Sequence, residues 1–140
     1  LEYDPNDYPA VLEPILKGEE KIVYGSRNLK DNARSSLAFY LGGKLVTAVG
    51  NIIYGTRLTD INTCYKGFEA ELFKSIPLDE PRFEFCEEIT AKASIKGARI
   101  LEVPINYRPR TLEQGKKIRP IDGLRAIIAL IKYRFWTPDE

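Results

Sequence analysis

The chain has 140 residues and 15.9 kDa, is 44% hydrophobic and 29% charged, and carries a formal net charge of +1. That is the composition of one globular domain, and a charge so near zero offers nucleic acid no global attraction. No His occurs, which excludes His-based metal sites and Ser-His or Cys-His nucleophilic machinery.

Cys64 and Cys86 are the only cysteines. So low a count reads as two reduced thiols rather than a disulfide framework. The chain opens on Leu1 and contains no Met, the pattern of a fragment or a processed piece. No basic-apolar-small leader opens it. No apolar run reaches the ~18–20 residues that cross a bilayer, which excludes a spanning helix within this piece but not contact with a membrane.

In chain order, Leu1 to Pro5 reads as the exit from a strand. Asp7 is placed to cap a helix with Pro9 in its first turn, where a missing N–H costs nothing. Tyr8, Val11, Leu12, Ile15 and Leu16 follow at helical spacing, and Gly18 is a stop. Lys21 to Tyr24 is a buried strand that delivers Gly25-Ser26-Arg27 to the end of a sheet. Asn28 to Ser35 is polar and reads as a mobile loop.

A long helix is predicted from about Ser36 to Tyr54, ended by Gly55 and weakened at Gly42-Gly43 by roughly 1 kcal/mol per Gly relative to Ala. Its broad apolar face suits a core helix first, or a helix whose apolar face also meets lipid or a lipid-linked substrate. Thr59 to Phe68 begins as a small polar loop with Asp60 at its tip and turns into an edge strand from Cys64. Ala70 to Ser75 is a short helix and Ile76 to Arg82 a Pro-containing loop. Phe83 to Glu88 leads into a helix ending at Lys96, with Gly97 as its cap. Arg99 to Tyr107 alternates as a strand, and Pro104 places it at an edge. Arg108 to Pro120 is basic and irregular. Asp122 starts a last helix with a stripe of Leu124, Ile127, Ile128, Ile131 and Phe135. The helix–strand rhythm is that of a single α/β domain over residues 1–140.

Three clusters could carry chemistry. The first is the carboxylates Asp60, Glu84, Glu87 and Glu88. An acid on a loop beside a strand can act as general base or orient a substrate, though Asp is also an ordinary turn former. Glu87 and Glu88 read most simply as solvated first-turn residues that suit the helix dipole. Glu84, between two Phe residues, is either exposed or held in a cleft. The second cluster is Arg108, Arg110, Lys116 and Lys117 around Gly115, able to fold over a diphosphate or to stay solvated. The third is Gly25-Ser26-Arg27, at a strand's carboxyl end, where α/β sheets bind ligands.

Six segments in register sharpen this. They are Leu1 to Pro9, Val23 to Arg27, Leu58-Thr59-Asp60 with Thr63 to Lys66, Phe83 to Lys92, Glu102 to Ile105, and Gly115 to Ile118 with Asp122-Gly123. In order and spacing the chain resembles the later part of the catalytic domain of family-2 glycosyltransferases, the dolichol- or polyprenyl-phosphate sugar synthase branch. The resemblance implies a GT-A-type, Rossmann-like mixed sheet flanked by helices. It implies a nucleotide-sugar donor, a divalent metal (Mg or Mn) and an inverting hexosyl transfer, with polyprenyl phosphate as acceptor at the cytoplasmic face of a membrane.

The family's Asp-x-Asp metal motif precedes the residues that look like Leu1 to Pro5, so the chain reads as the acceptor-side part, inactive in isolation. The resemblance implies that Glu2 would be a metal ligand, Arg27 would bind acceptor phosphate, and Asp60 would be the base or orienting acid. Glu84 competes for that role. Arg110, Lys116 and Lys117 lie on the loop that closes over donor phosphates. The long helix lacks the Ser and second Arg that related synthases use for lipid phosphate, and Arg34 and Lys44 are the candidates to replace them.

Overall fold

The computed structural model describes residues 2–34, 36–82, 84–110 and 119–138. After a 3-10 turn at Pro5–Asp7, the elements are α1 (Tyr8–Leu16), β1 (Ile22–Ser26), α2 (Leu37–Tyr54), β2 (Lys66–Phe68), α3 (Ala70–Lys74), α4 (Phe85–Ile95), β3 (Ile100–Pro104) and α5 (Pro120–Tyr133). The sheet runs β2-β1-β3, with β1 antiparallel to β2 and parallel to β3. This is a mixed α/β layout, as the sequence rhythm implied.

All five residues of β1 are buried because the strand is central and covered on both faces. Successive strand side chains point to opposite faces. Ile22 and Tyr24 meet Ile89 and Ala93 of α4, together with Leu58, Ile61 and Ile76. Val23 meets Val11 of α1 and Ile105. Gly25 continues that second face where no side chain fits. A Cβ there would lie 2.7 Å from Ile105 Cγ2 and 3.1 Å from Tyr65 Cβ. Gly25→Ala is therefore expected to destabilise the fold by about 1–3 kcal/mol, the usual range for overpacking, measured by urea unfolding.

Both β2 and β3 are edge strands of the described sheet, as read for Cys64–Phe68 and for Pro104. Gly55 ends α2 in the left-handed region, φ 68°, which glycine adopts without a Cβ penalty. Ser36 caps that helix by accepting from Phe39 N–H at 3.1 Å.

Several expectations are corrected. Asp7 sits at the start of α1 but does not cap it. Its carboxylate instead accepts from Asn106 N at 2.8 Å and Asn106 Nδ2 at 3.2 Å, tying the chain's beginning to the segment after β3. The last helix begins at Pro120, and Asp122 lies in its first turn, accepting from Arg119 N at 2.7 Å. Glu87 and Glu88 are fully buried rather than solvated. The reason is that α4 is an inner helix, packed under the sheet on one side and against α2 and α5 on the other.

Most of the stripe predicted on α5 faces outward, with Leu124 57% and Phe135 82% exposed, while Ile127 packs against Val46, Ala126 and Leu130. The residues that face inward are Ala126, Ala129, Leu130 and Tyr133. Helix α2 likewise packs on α5 through Val46, Val49 and Ile53. It leaves Leu37, Leu41, Leu45 and Ile52 exposed. By length and composition alone, α2 meets the minimum for a bilayer span, with 18 residues and a mean hydropathy of 1.3. The expectation that no apolar run reaches that length needs this correction: Lys44 is the one charge in the helix, and its Leu, Val and Ile residues offset Lys44 and Asn51 in the average.

Candidate functional site

The carboxyl end of β1 is where the predicted residues meet. Arg27 follows the strand directly, and Asp60 reaches it from the loop between α2 and β2. Arg27 Nη2 donates to Asp60 Oδ1 at 2.7 Å and Nε donates to Oδ2 at 2.8 Å. Arg27 N–H adds a third bond to Oδ2 at 2.9 Å. This is a forked, charge-assisted pair, stronger and more directional than a single ionic contact. Asp60 is buried and Arg27 largely so. Burial works against the guanidinium's charge, but the hydrogen bonds and charge of Asp60 outweigh it and hold Arg27 protonated. The Tyr107 ring lies under the guanidinium, 4.9 Å from Cζ to the centroid.

Both oxygens of Asp60 are thus engaged by Arg27. A carboxylate so used orients its partner; a proton acceptor needs a lone pair aimed at substrate. The sequence offered Asp60 as base or as orienting acid, and this arrangement suits the second role.

The loop that carries Asp60 is fastened from several elements. Glu102 of β3 accepts from Thr59 N–H at 2.8 and 3.0 Å, from Thr59 Oγ1 at 3.0 Å and from Asp60 N–H at 3.1 Å. Partial burial pushes the Glu102 carboxyl up from its ordinary value, while those hydrogen bonds work to lower it. Ser26 Oγ meets Thr59 Oγ1 at 2.5 Å, and Thr63 Oγ1 donates to Gly25 O at 2.5 Å. Lys66 Nζ donates to Ile61 O at 2.6 Å and to Thr63 O. From α2, Asn51 brackets Leu58, donating to its carbonyl and accepting from its N–H, both at 2.9 Å.

The segment after β1 is also anchored. Asn28 Nδ2 donates to Thr59 O at 2.8 Å. Asn32 Nδ2 donates to Arg27 O at 2.9 Å and Ile105 O at 3.0 Å, and its Oδ1 accepts from Tyr107 N–H at 3.0 Å. Beside it, Tyr3 lies between Tyr65 and Tyr107, with centroids 4.8 and 5.2 Å away, and Tyr8 stacks on Tyr65 at 5.1 Å.

The other predicted residues gather in separate places. Glu2 and Arg110 meet each other: Arg110 N–H donates to Glu2 Oε1 at 2.8 Å, and Nε lies 3.4 Å from the same oxygen. The segments that hold them pair at Tyr3 and Tyr107, beside Arg27. Arg34 and Lys44 converge on the Tyr40 ring, with Arg34 Cζ at 3.8 Å and Lys44 Nζ at 5.6 Å from its centroid. Glu84 is half-buried at the start of α4 and is not among the groups that bond Arg27 or Asp60. Lys116 and Lys117 lie outside the described residues.

No set of three or more His, Cys, Asp or Glu side chains is placed to hold a metal among the described residues. Glu2 alone, with one oxygen committed to Arg110, does not fit a divalent cation. Cys64 is exposed, Cys86 is buried, and both are free, as expected for reduced thiols. Burial pushes the Cys86 thiol up to about 11.

Sequence reasoning missed Glu102, Asn32 and the tyrosine stack. Glu102 had a local signal, a carboxylate between Leu101 and Val103 in the middle of a strand. Asn32 had none, because its partners lie before and 73 residues after it in the chain.

No family model matches the chain. The chain is similar, at 27% identity over 128 residues, to a protein of Micrococcus luteus named undecaprenyl-phosphate mannosyltransferase. The match covers 86% of this chain and 51% of that protein, so the chain spans about half the length of the curated relative it matches. It agrees with the resemblance carried by the six motifs, including the span that holds Arg27 and Asp60.

Proposed function

We propose that the protein carrying this chain transfers a hexose from a nucleotide sugar to a polyprenyl phosphate, with inversion at the anomeric carbon. The observation that carries this reading is the Arg27–Asp60 pair at the end of the central strand. A guanidinium fixed on one edge by a buried carboxylate keeps its remaining N–H groups for an anion, and phosphate matches that fork. A phosphate acceptor is already ionised at neutral pH. It needs orientation more than a base, which suits an Asp60 engaged by Arg27. Positive charge beside the nucleophile also holds it in line for attack.

The acceptor's prenyl chain calls for an apolar surface close to the site. The outward rows of α2 and α5 supply candidates, with Arg34 just before α2 and Lys44 on it as nearby cations. A peripheral position at the cytoplasmic face of a membrane follows from the same reading. In this reading Arg110 meets the donor's phosphates. Magnesium or manganese would supply further charge neutralisation at the leaving diphosphate. The described residues do not form its donor set, so no role is assigned to Glu2 beyond its bond to Arg110.

The test is transfer by the complete protein from a panel of labelled nucleotide sugars to a polyprenyl phosphate. A labelled prenyl phosphosugar formed from one donor is the expected product. Binding of prenyl phosphate with no transfer from any donor would replace this reading with a non-catalytic lipid-phosphate module.

A further inference from the structure

Directly behind the Asp60 loop, two polar atoms are buried without partners. Asn62 Nδ2 donates to Glu87 Oε1. The other two oxygens of the same pair, Asn62 Oδ1 and Glu87 Oε2, find no hydrogen-bond partner among the described residues. Each such orphan is costly when left without a partner, and two in one pair call for a common cause. Both are acceptors if Glu87 is ionised, so neither can satisfy the other. A single proton on Glu87 removes both defects. The carboxylic acid then donates from Oε2 to Asn62 Oδ1 while accepting from Nδ2, the two-bond pairing of an acid with an amide.

We infer that Glu87 is a positioning residue, which as a neutral carboxylic acid clasps the Asn62 amide through two hydrogen bonds and so fixes the loop that carries Asp60. The surroundings agree. Glu87 is fully buried on the inner face of α4. Burial pushes its carboxyl up to about 7, against the lowering influence of Asn62 and Lys66, and Glu84 adds to the rise. Lys66 on β2 offers Glu87 no direct pair: its ammonium serves Ile61 O and Thr63 O and lies 4.3 Å from the Tyr24 ring centroid. The other titratable groups facing Glu87 are Tyr24 on β1 and Cys86 on α4, both uncharged at neutral pH.

The sign of the pH dependence follows. The carboxyl is raised in the folded chain relative to 4.5 unfolded. Its contribution to stability is therefore complete below about 4.5 and is lost as pH rises through about 7. The loop should loosen from the Asn62 end over the same interval. This holds whether or not the protein transfers sugar.

Glu87→Gln is the informative variant, because Gln has the shape of the protonated acid and makes the same two bonds at every pH. In the complete protein, Glu87→Gln should match the wild type in thermal midpoint at pH 5 and exceed it at pH 8. Amide exchange at Asn62 to Cys64 should accelerate between pH 5 and pH 8 in the wild type and not in Glu87→Gln. A carbon-detected titration of Glu87 in the wild type needs no variant and should give a midpoint near 7. A midpoint below 5, or a Glu87→Gln variant less stable than wild type at both pH values, would overturn the inference.

Discussion

Arg27→Ala should lower sugar transfer by the complete protein by about 10²–10³-fold, the cost of removing one preorganised charge donor from a transition state. Asp60→Asn should cost about 10²-fold. The two effects should not add. All three hydrogen bonds that Asp60 accepts through its side-chain oxygens from this neighbour come from Arg27. If Asp60 acts through Arg27, the double variant is no slower than Arg27→Ala alone. If Asp60 removes a proton from the acceptor, the losses multiply, and the rate of Asp60→Asn changes its dependence on pH. Steady-state rates of the four proteins complete the cycle. Far-ultraviolet circular dichroism on the same samples shows whether the loss of Asp60's charge has disturbed the fold, a needed control for a buried residue.

The largest effect on stability is expected at Lys92. Its ammonium is fully buried and donates to Glu88 Oε1 at 2.6 Å and to Pro77 O at 2.5 Å, with Asp79 Oδ2 at 3.5 Å. The Tyr133 and Trp136 rings stand 4.9 and 5.2 Å away. Glu88 in turn accepts from Asp79 N at 2.7 Å and Glu80 N at 2.8 Å. Glu80 accepts from Tyr133 Oη at 2.7 Å. One buried pair therefore joins α4, the 77–80 loop and α5. Lys92→Met leaves the carboxylate of Glu88 buried beside a methyl group, and breaking such a pair from one side costs about 3–5 kcal/mol. Urea unfolding measures it. The exposed pair of Lys17 with Glu13 has a similar separation, 2.7 Å. Lys17→Met should leave the unfolding midpoint unchanged, because water screens that pair. Burial, not distance, separates the two outcomes.

Most of the fold was legible because its signals are local. The apolar run at Ile22 to Tyr24 marks a strand, the spacing of Val11 and Ile15 marks a helix, and Gly55 marks a stop. What the residues could not reveal were partners far apart in the chain. Asp60 was readable as a turn former or as a site acid, but its fork with Arg27, 33 positions earlier, had no local signal. Glu102 reaches Thr59 across 43 positions. Glu87 and Glu88 obey the rule for acids in a first turn, yet packing by α2 and α5 overrides that rule and buries both. On α5 the periodicity was real, but except at Ile127 it marked the outward face. The small residues Ala126 and Ala129 do the packing, since they allow the close approach of α2 and α4.

The proposed seat of the acceptor's phosphate is Arg27, held by Asp60. Calorimetric titration of a short-chain prenyl monophosphate into the complete protein tests this most directly. Saturable binding that weakens at least tenfold in Arg27→Ala, with no further loss in the Arg27→Ala, Asp60→Asn double variant, is the predicted result. Equal affinity in the wild type and Arg27→Ala would contradict it.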